Sequence, residues 1–333
     1  MTSLMKPPIA TARPRRTAHL RTTASAAAAM FMVGTLAAVS GVIGTYPVYG
    51  GQALRYALAA VILLAVARAR GLGPVRLARR AGPVPAITPP VARDRTAREP
   101  VRLAPGGWAL LGLLSLTGLV IFNVCVIEAA RASSPSLVGT IVGTVPLALA
   151  VLGPLTRPAD ARSLPSPRLI GAAIVVVAGA TLATGLGSGN LPGLMWSLGA
   201  LACEVCFSLL ALPLLPTLGA IRVSAYSAAL AVPFLLVMGA IVDGGAMLRM
   251  PTTAEALGLG YLAVIVTTVA FFLWYTALPR LGADRAGLFA GMIPVGAIVT
   301  TLVLGLGTPS AADLAGAAVV IAGLALGLRT GSS

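Results

Sequence analysis

From Ala256 to Leu278 the chain runs for 23 residues without a charged side chain. Trp108–Ala130 is a second such run, its only charge being Glu128 near one end. About 20 apolar residues in a helix cross ~30 Å of hydrocarbon, and no water is present there to pair exposed peptide groups. These runs therefore predict helices that span a bilayer. With 57% hydrophobic and 10% charged residues and a mean hydropathy of +0.94, the whole chain lies outside the soluble range. An all-α integral membrane protein is expected.

Ten spans fit: Ala24–Gly44, Gly51–Ala69, Trp108–Ala130, Pro135–Leu155, Leu169–Leu186, Pro192–Leu215, Val223–Val242, Ala256–Leu278, Gly287–Gly305 and Ser310–Leu328. Residues 1–23 hold five basic side chains and read as a disordered arm, with Ala24–Gly44 as an uncleaved first span. Residues 70–107, rich in arginine and proline, read as a disordered cytoplasmic loop, and 329–333 as a cytoplasmic tail. The formal charge of +15 lies in connectors, which points to membrane orientation and away from nucleic acid. With both termini cytoplasmic, 21 of the 24 basic residues fall inside; only Arg131 and Arg249 fall outside, and Arg55 lies within the second span.

An internal repeat accompanies this count. Gly139–Pro146 reads GTIVGTVP and Gly287–Pro294 reads GLFAGMIP, each with two glycines four apart and a proline three residues later. The same spacing at Gly185–Pro192 lies in a glycine-rich connector, so the pattern carries weight only through its context. Each helical copy follows an apolar segment ending near an arginine, Arg131 or Arg280, and precedes a segment opening Gly-Ala-Ala, at Gly171 or Gly316. The chain divides into a first unit, 24–187, and a second, 188–328, of five spans each. An odd repeat unit re-enters the membrane from the opposite side, so the two halves are expected to be inverted, an arrangement suited to alternating access.

From about residue 24 to 328 the sequence resembles the EamA-type family of the drug/metabolite transporter superfamily. The stretch GQALRYALAA at Gly51–Ala60, the late prolines Pro146 and Pro294, and the glycine pairs Gly171/Gly179 and Gly316/Gly323 carry the resemblance. Family members often have a glutamate just after the proline-containing span; here those positions read TRPADA and GTPSAA. The resemblance implies a carrier of small organic molecules, most often an exporter of amino acids, metabolites or toxic compounds.

Glu204 lies near the middle of its span, where a carboxylate costs about 2.5–3.5 kcal/mol on insertion scales and should face the bundle interior. It is either a protonatable coupling site or a structural carboxylate paired with Arg55 or neighbouring hydroxyls. Arg55 either snorkels to the headgroups or turns inward to a substrate or to Glu204, beside the polar Gln52 and Tyr56. Asn123 reads as a cavity residue or an interhelical hydrogen bond, while Glu128 and Arg131 form an interfacial i, i+3 pair. Tyr226, Tyr275, Thr140, Thr144, Thr267 and Thr268 are open to substrate contact or packing. Pro146 and Pro294 free a backbone carbonyl towards a cavity and are expected to line its opposite sides, with Glu204 facing it.

Cys125, Cys203 and Cys206 lie within apolar runs and His19 in the basic arm, a set that reads as small buried side chains. No cofactor motif is present, and no GxxxxGK[ST] phosphate loop. The expectation is a secondary transporter and not an enzyme. Its partners would be a small-molecule substrate and membrane lipids, with a homodimer left open. The rival readings are a non-transporting receptor or scaffold and an intramembrane lipid-modifying enzyme, which would need paired catalytic side chains at membrane depth.

Overall fold

The structure is a computed structural model describing residues 13–44, 46–78, 99–132, 135–156, 164, 166–185 and 190–328. Helix α1 (Arg13–Ile43) begins earlier than expected, because Pro14 stands in its first turn, where a missing N–H has no partner to lose. Residues 13–23 therefore belong to a helix and not to the arm, of which 1–12 lie outside the described residues. Helix α2 (Val48–Ala69) ends in a Schellman turn: Leu72 N donates to Ala67 O at 2.8 Å and Gly71 N to Arg68 O at 2.9 Å. Gly71 takes the required left-handed φ of 70°.

The two ends of the loop expected over 70–107 are ordered. Strands β1 (Val75–Leu77) and β2 (Val101–Leu103), both reading Val-Arg-Leu, pair in parallel and satisfy peptide groups that would otherwise face the helix ends unpaired. The middle of that loop, 79–98, lies outside the described residues.

Four helical segments among the described residues are interrupted. The first, α3 (Pro105–Ser115) and α4 (Phe122–Ala132), is joined by a π-helical stretch, Leu116–Ile121. The second, α5 (Pro135–Val142) and α6 (Val145–Leu152), breaks at Gly143–Thr144, since Pro146 cannot donate to the preceding turn. Next come α7 (Pro167–Thr184), α8 (Leu191–Leu209) and α9 (Leu215–Val242). The Asn190 side chain caps α8 by accepting from Gly193 N at 2.9 Å, and α9 kinks at Gly219, with φ 73°. The third interrupted segment, α10 (Thr253–Tyr261) and α11 (Ala270–Leu281), is joined by the π-helical Leu262–Val269. Finally α12 (Ala283–Gly287) passes through a 3-10 turn, Leu288–Gly291, into α13 (Met292–Val303), and α14 (Ala311–Leu328) closes the chain.

Among the described residues, eight helices are long and apolar enough to cross a membrane, and two shorter apolar ones, Val138–Leu152 and Pro167–Leu182, stand where the fourth and fifth of the ten spans were expected. Large apolar side chains such as Ile241, Val303 and Leu257 are more than 70% exposed, as a lipid-facing surface requires.

The principal helix pairings are α7 with α14, α2 with α9, α1 with α13 and α11, and α8 with α4 and α5. Close approach between α1 and α13 depends on two glycines facing each other's carbonyls. A Cβ at Gly34 would fall 2.0 Å from Ile293 O, and one at Gly296 2.1 Å from Phe31 O.

Candidate functional site

A cavity of about 410 Å³ lies inside the bundle, with walls from α1, α2, α4, α5, α8, α11, α13 and both π-helical stretches. Its apolar lining includes Met30, Val33, Phe122, Phe207 and Phe271, and its polar members are Ser40, Arg55, Tyr56, Asn123, Glu204 and Trp274.

Arg55 enters from α2, in the polar Gln52–Tyr56 stretch, and is 4% exposed. Its Nε donates to Thr267 Oγ1 at 2.7 Å and its Nη1 to Gln52 Oε1 at 3.1 Å, while the guanidinium lies 5.1 Å from the Tyr56 ring centroid. The side chain thus turns inward and bridges α2 to the π-helical stretch of the opposite half. All of these partners are neutral, so its charge is solvated and left uncompensated.

Glu204, from α8, faces the same cavity and is half-buried. Among the described residues its carboxylate has no ion pair and no hydrogen bond, and the pairing with Arg55 weighed from sequence is not made. Two opposite charges therefore border one cavity without joining. Asn123 lies between them in chain order, on α4. Its Nδ2 donates to Leu119 O, a carbonyl of the π-helical stretch, and more distantly to the Tyr56 hydroxyl at 3.4 Å. The cavity and hydrogen-bond readings of Asn123 hold together.

Other expected site residues lie elsewhere. Tyr275 is 1% exposed and stands behind the wall, 5.2 Å from the Phe207 ring and 6.1 Å from the Phe271 ring, both of which face the cavity. Its hydroxyl and the Trp274 Nε1 are buried with no hydrogen-bond partner. Thr144 returns its hydroxyl to Ile141 O at 2.7 Å, closing the broken turn. Tyr226 stacks edge-on against Trp108 and accepts from Val75 N at 2.9 Å, holding β1 against the first half of α9.

Pro146 and Pro294 do not line the cavity. Val142, Ile293 and Ala297 do so from the same two helical segments. Ile293 and Ala297, four apart, share a helix face, and Pro294 is turned about 100° from it. On the other segment the break at Gly143–Thr144 rotates Pro146 away from the face of Val142 into the core. The glycines act in packing, as Gly287 meets Leu149 and Gly291 meets Val176.

One cluster went unread in the sequence. Arg249, between α9 and α10, donates to Glu255 from both terminal nitrogens, at 2.9 and 2.5 Å, and lies 4.9 Å from the Tyr46 ring centroid. The Tyr46 hydroxyl donates to Arg249 O at 2.8 Å, tying the α1–α2 turn to this connector. Glu255 also completes a capping box with Thr252. The hydrogen bond to Glu255 raises the pKa of Arg249, and burial raises that of Tyr46. The Thr-x-x-Glu spacing ahead of an apolar run was the visible signal for this helix start.

Residues 191–329 match the model of the EamA-like transporter family. That match spans the second of the two units expected from the sequence. A wider likeness extends to the uncharacterized transporter YetK of Bacillus subtilis (strain 168), 24% identical over 289 residues, covering 84% of this chain and 78% of that protein. A solved crystal structure shares the fold, with a TM-score of 0.69 at 17% identity over 92% of this chain and 97% of the other. The half that matches the family model supplies Glu204, Phe207, Thr267 and Trp274 to the site, and the first half supplies Arg55, Tyr56 and Asn123. The chain is a multi-pass membrane protein.

Proposed function

We propose that this protein is a secondary transporter that exports a small organic solute, a metabolite, amino acid or drug-like compound, across the cytoplasmic membrane by alternating access. The observation that carries this reading is the cavity between the two halves, bordered by a buried Arg55 and an unpaired Glu204.

The helix pairing supports two related halves of five spans. Exchanging the halves carries the α1 contacts with α13 and α11 onto the α8 contacts with α5 and α4, and returns the α2–α9 and α7–α14 pairs to themselves. Both π-helical stretches and both broken glycine-proline segments fall at matching places. Halves related in this way, inverted across the membrane with both termini cytoplasmic, can exchange conformations so that the cavity opens first to one side and then to the other.

Glu204 provides the coupling. A charged carboxylate at this depth is stabilised either by a proton or by a cationic group of the solute, and the two compete for one site. Solute arriving from the cytoplasm displaces the proton, and a proton arriving from outside displaces the solute. The apolar and aromatic wall receives the rest of the molecule.

Flux into proteoliposomes tests this. The wild-type protein transports solute under an imposed pH gradient, and Glu204→Gln abolishes the dependence on that gradient. Unchanged flux and unchanged pH-gradient dependence in the variant would remove Glu204 from the mechanism.

A further inference from the structure

A second cavity, of about 870 Å³, opens where α2 ends and α9 begins. Its wall combines Arg68, Arg222 and Tyr226 with the apolar Leu64, Ala67 and Leu72. Arg222 is 9% exposed, and its Nε donates to Gly73 O at 2.9 Å, so its guanidinium is held in place with both terminal nitrogens still available. Among the described residues neither arginine has a carboxylate partner; Glu99, the acidic residue on the described part of the neighbouring loop, is exposed and joins neither.

A fixed guanidinium that lines the same pocket as a second, exposed arginine offers the paired N–H groups through which arginine binds the oxygens of a phosphate. A free anion would have no use for the apolar side of this wall. An acyl chain would, and Leu64 is open towards the lipid side of α2. Basic pockets between membrane helices on the cytoplasmic side suit anionic lipid headgroups.

We propose that this pocket holds the phosphate of an anionic phospholipid headgroup between Arg68 and Arg222, with its acyl chain along Leu64. The inference rests on the membrane orientation described above, with these arginines inside, and is independent of whether the central cavity carries solute.

Thermal unfolding of the full-length protein in detergent tests it, with added phosphatidylglycerol, phosphatidylcholine of the same chains, or inorganic phosphate. Phosphatidylglycerol should raise the melting temperature by several degrees more than phosphatidylcholine. Arg68→Gln should lose at least half of that extra rise, whereas Arg131→Gln, which removes the same charge at an exposed site, should keep it. Arg222→Lys, which preserves the charge and loses the paired geometry, should fall between them. Equal effects of the two lipids on the wild type, or an undiminished rise in Arg68→Gln, would overturn the site. Reproduction of the rise by inorganic phosphate alone would overturn the lipid as its occupant. The readout is binding and not flux, so its failure leaves the transport reading untouched.

Discussion

Arg249 and Arg55 are both drawn into side-chain clusters, yet only one of them meets a carboxylate. Between α9 and α10, Arg249 takes both oxygens of Glu255 and rests on Tyr46, tying connectors together at one end of the bundle. In the central cavity Arg55 is more deeply buried but is bonded to a hydroxyl and an amide, with Glu204 bordering the same cavity and no ion pair between them. A bidentate pair satisfies both charges and leaves nothing for a ligand to do. Separated charges in a cavity leave each available to a third group, which is what a binding site needs and a structural staple does not.

The largest expected effect follows from removing the separated charge. Arg55→Leu should lower transport by about 30-fold or more, corresponding to ~2 kcal/mol or more of lost charged contact, while the protein still inserts and folds. Unaltered flux would place Arg55 with Arg249 as a structural group. A smaller change is expected from its anchor. Thr267→Val removes the acceptor of Arg55 Nε and should destabilise the protein by about 2 kcal/mol, with Thr267→Ser restoring both stability and flux.

At the Arg249–Glu255 cluster the order of effects reverses. Glu255→Gln should cost about 1 kcal/mol in thermal stability, because the pair is only partly shielded from solvent, and change flux by less than about twofold. A strong loss of flux with normal stability would make the connector a gate. The exposed pair Arg131–Glu128, at 2.7 Å, marks the lower limit. Glu128→Gln should shift stability by only ~0.3 kcal/mol, an effect that added salt should erase.

Much of the fold was legible because its period is local. Uncharged runs and the repeated glycine-proline segments act within a few residues, so the chain displays them directly; the Asn190 and Thr252 caps are equally local and went unread. Arg55, Asn123 and Glu204 were legible as inward-facing residues for a related reason: a polar group at membrane depth is costly wherever it meets lipid, and all three line the cavity. Pro146 and Pro294 were misplaced because a proline's own chemistry is local, whereas the face it presents depends on the breaks around it. The sequence left Tyr226 between substrate contact and packing because its partner, Val75 N, is 151 residues away across a loop whose ends form strands.

The sequence by itself determined that the protein is an apolar helical bundle in a membrane, and it singled out the charges that need an explanation. Tertiary structure alone decided which charges meet. It set Arg249 against Glu255 and kept Arg55 apart from Glu204, because ion pairing depends on distances of a few ångströms between helices, and no spacing along one chain encodes how two helices rotate and slide against each other.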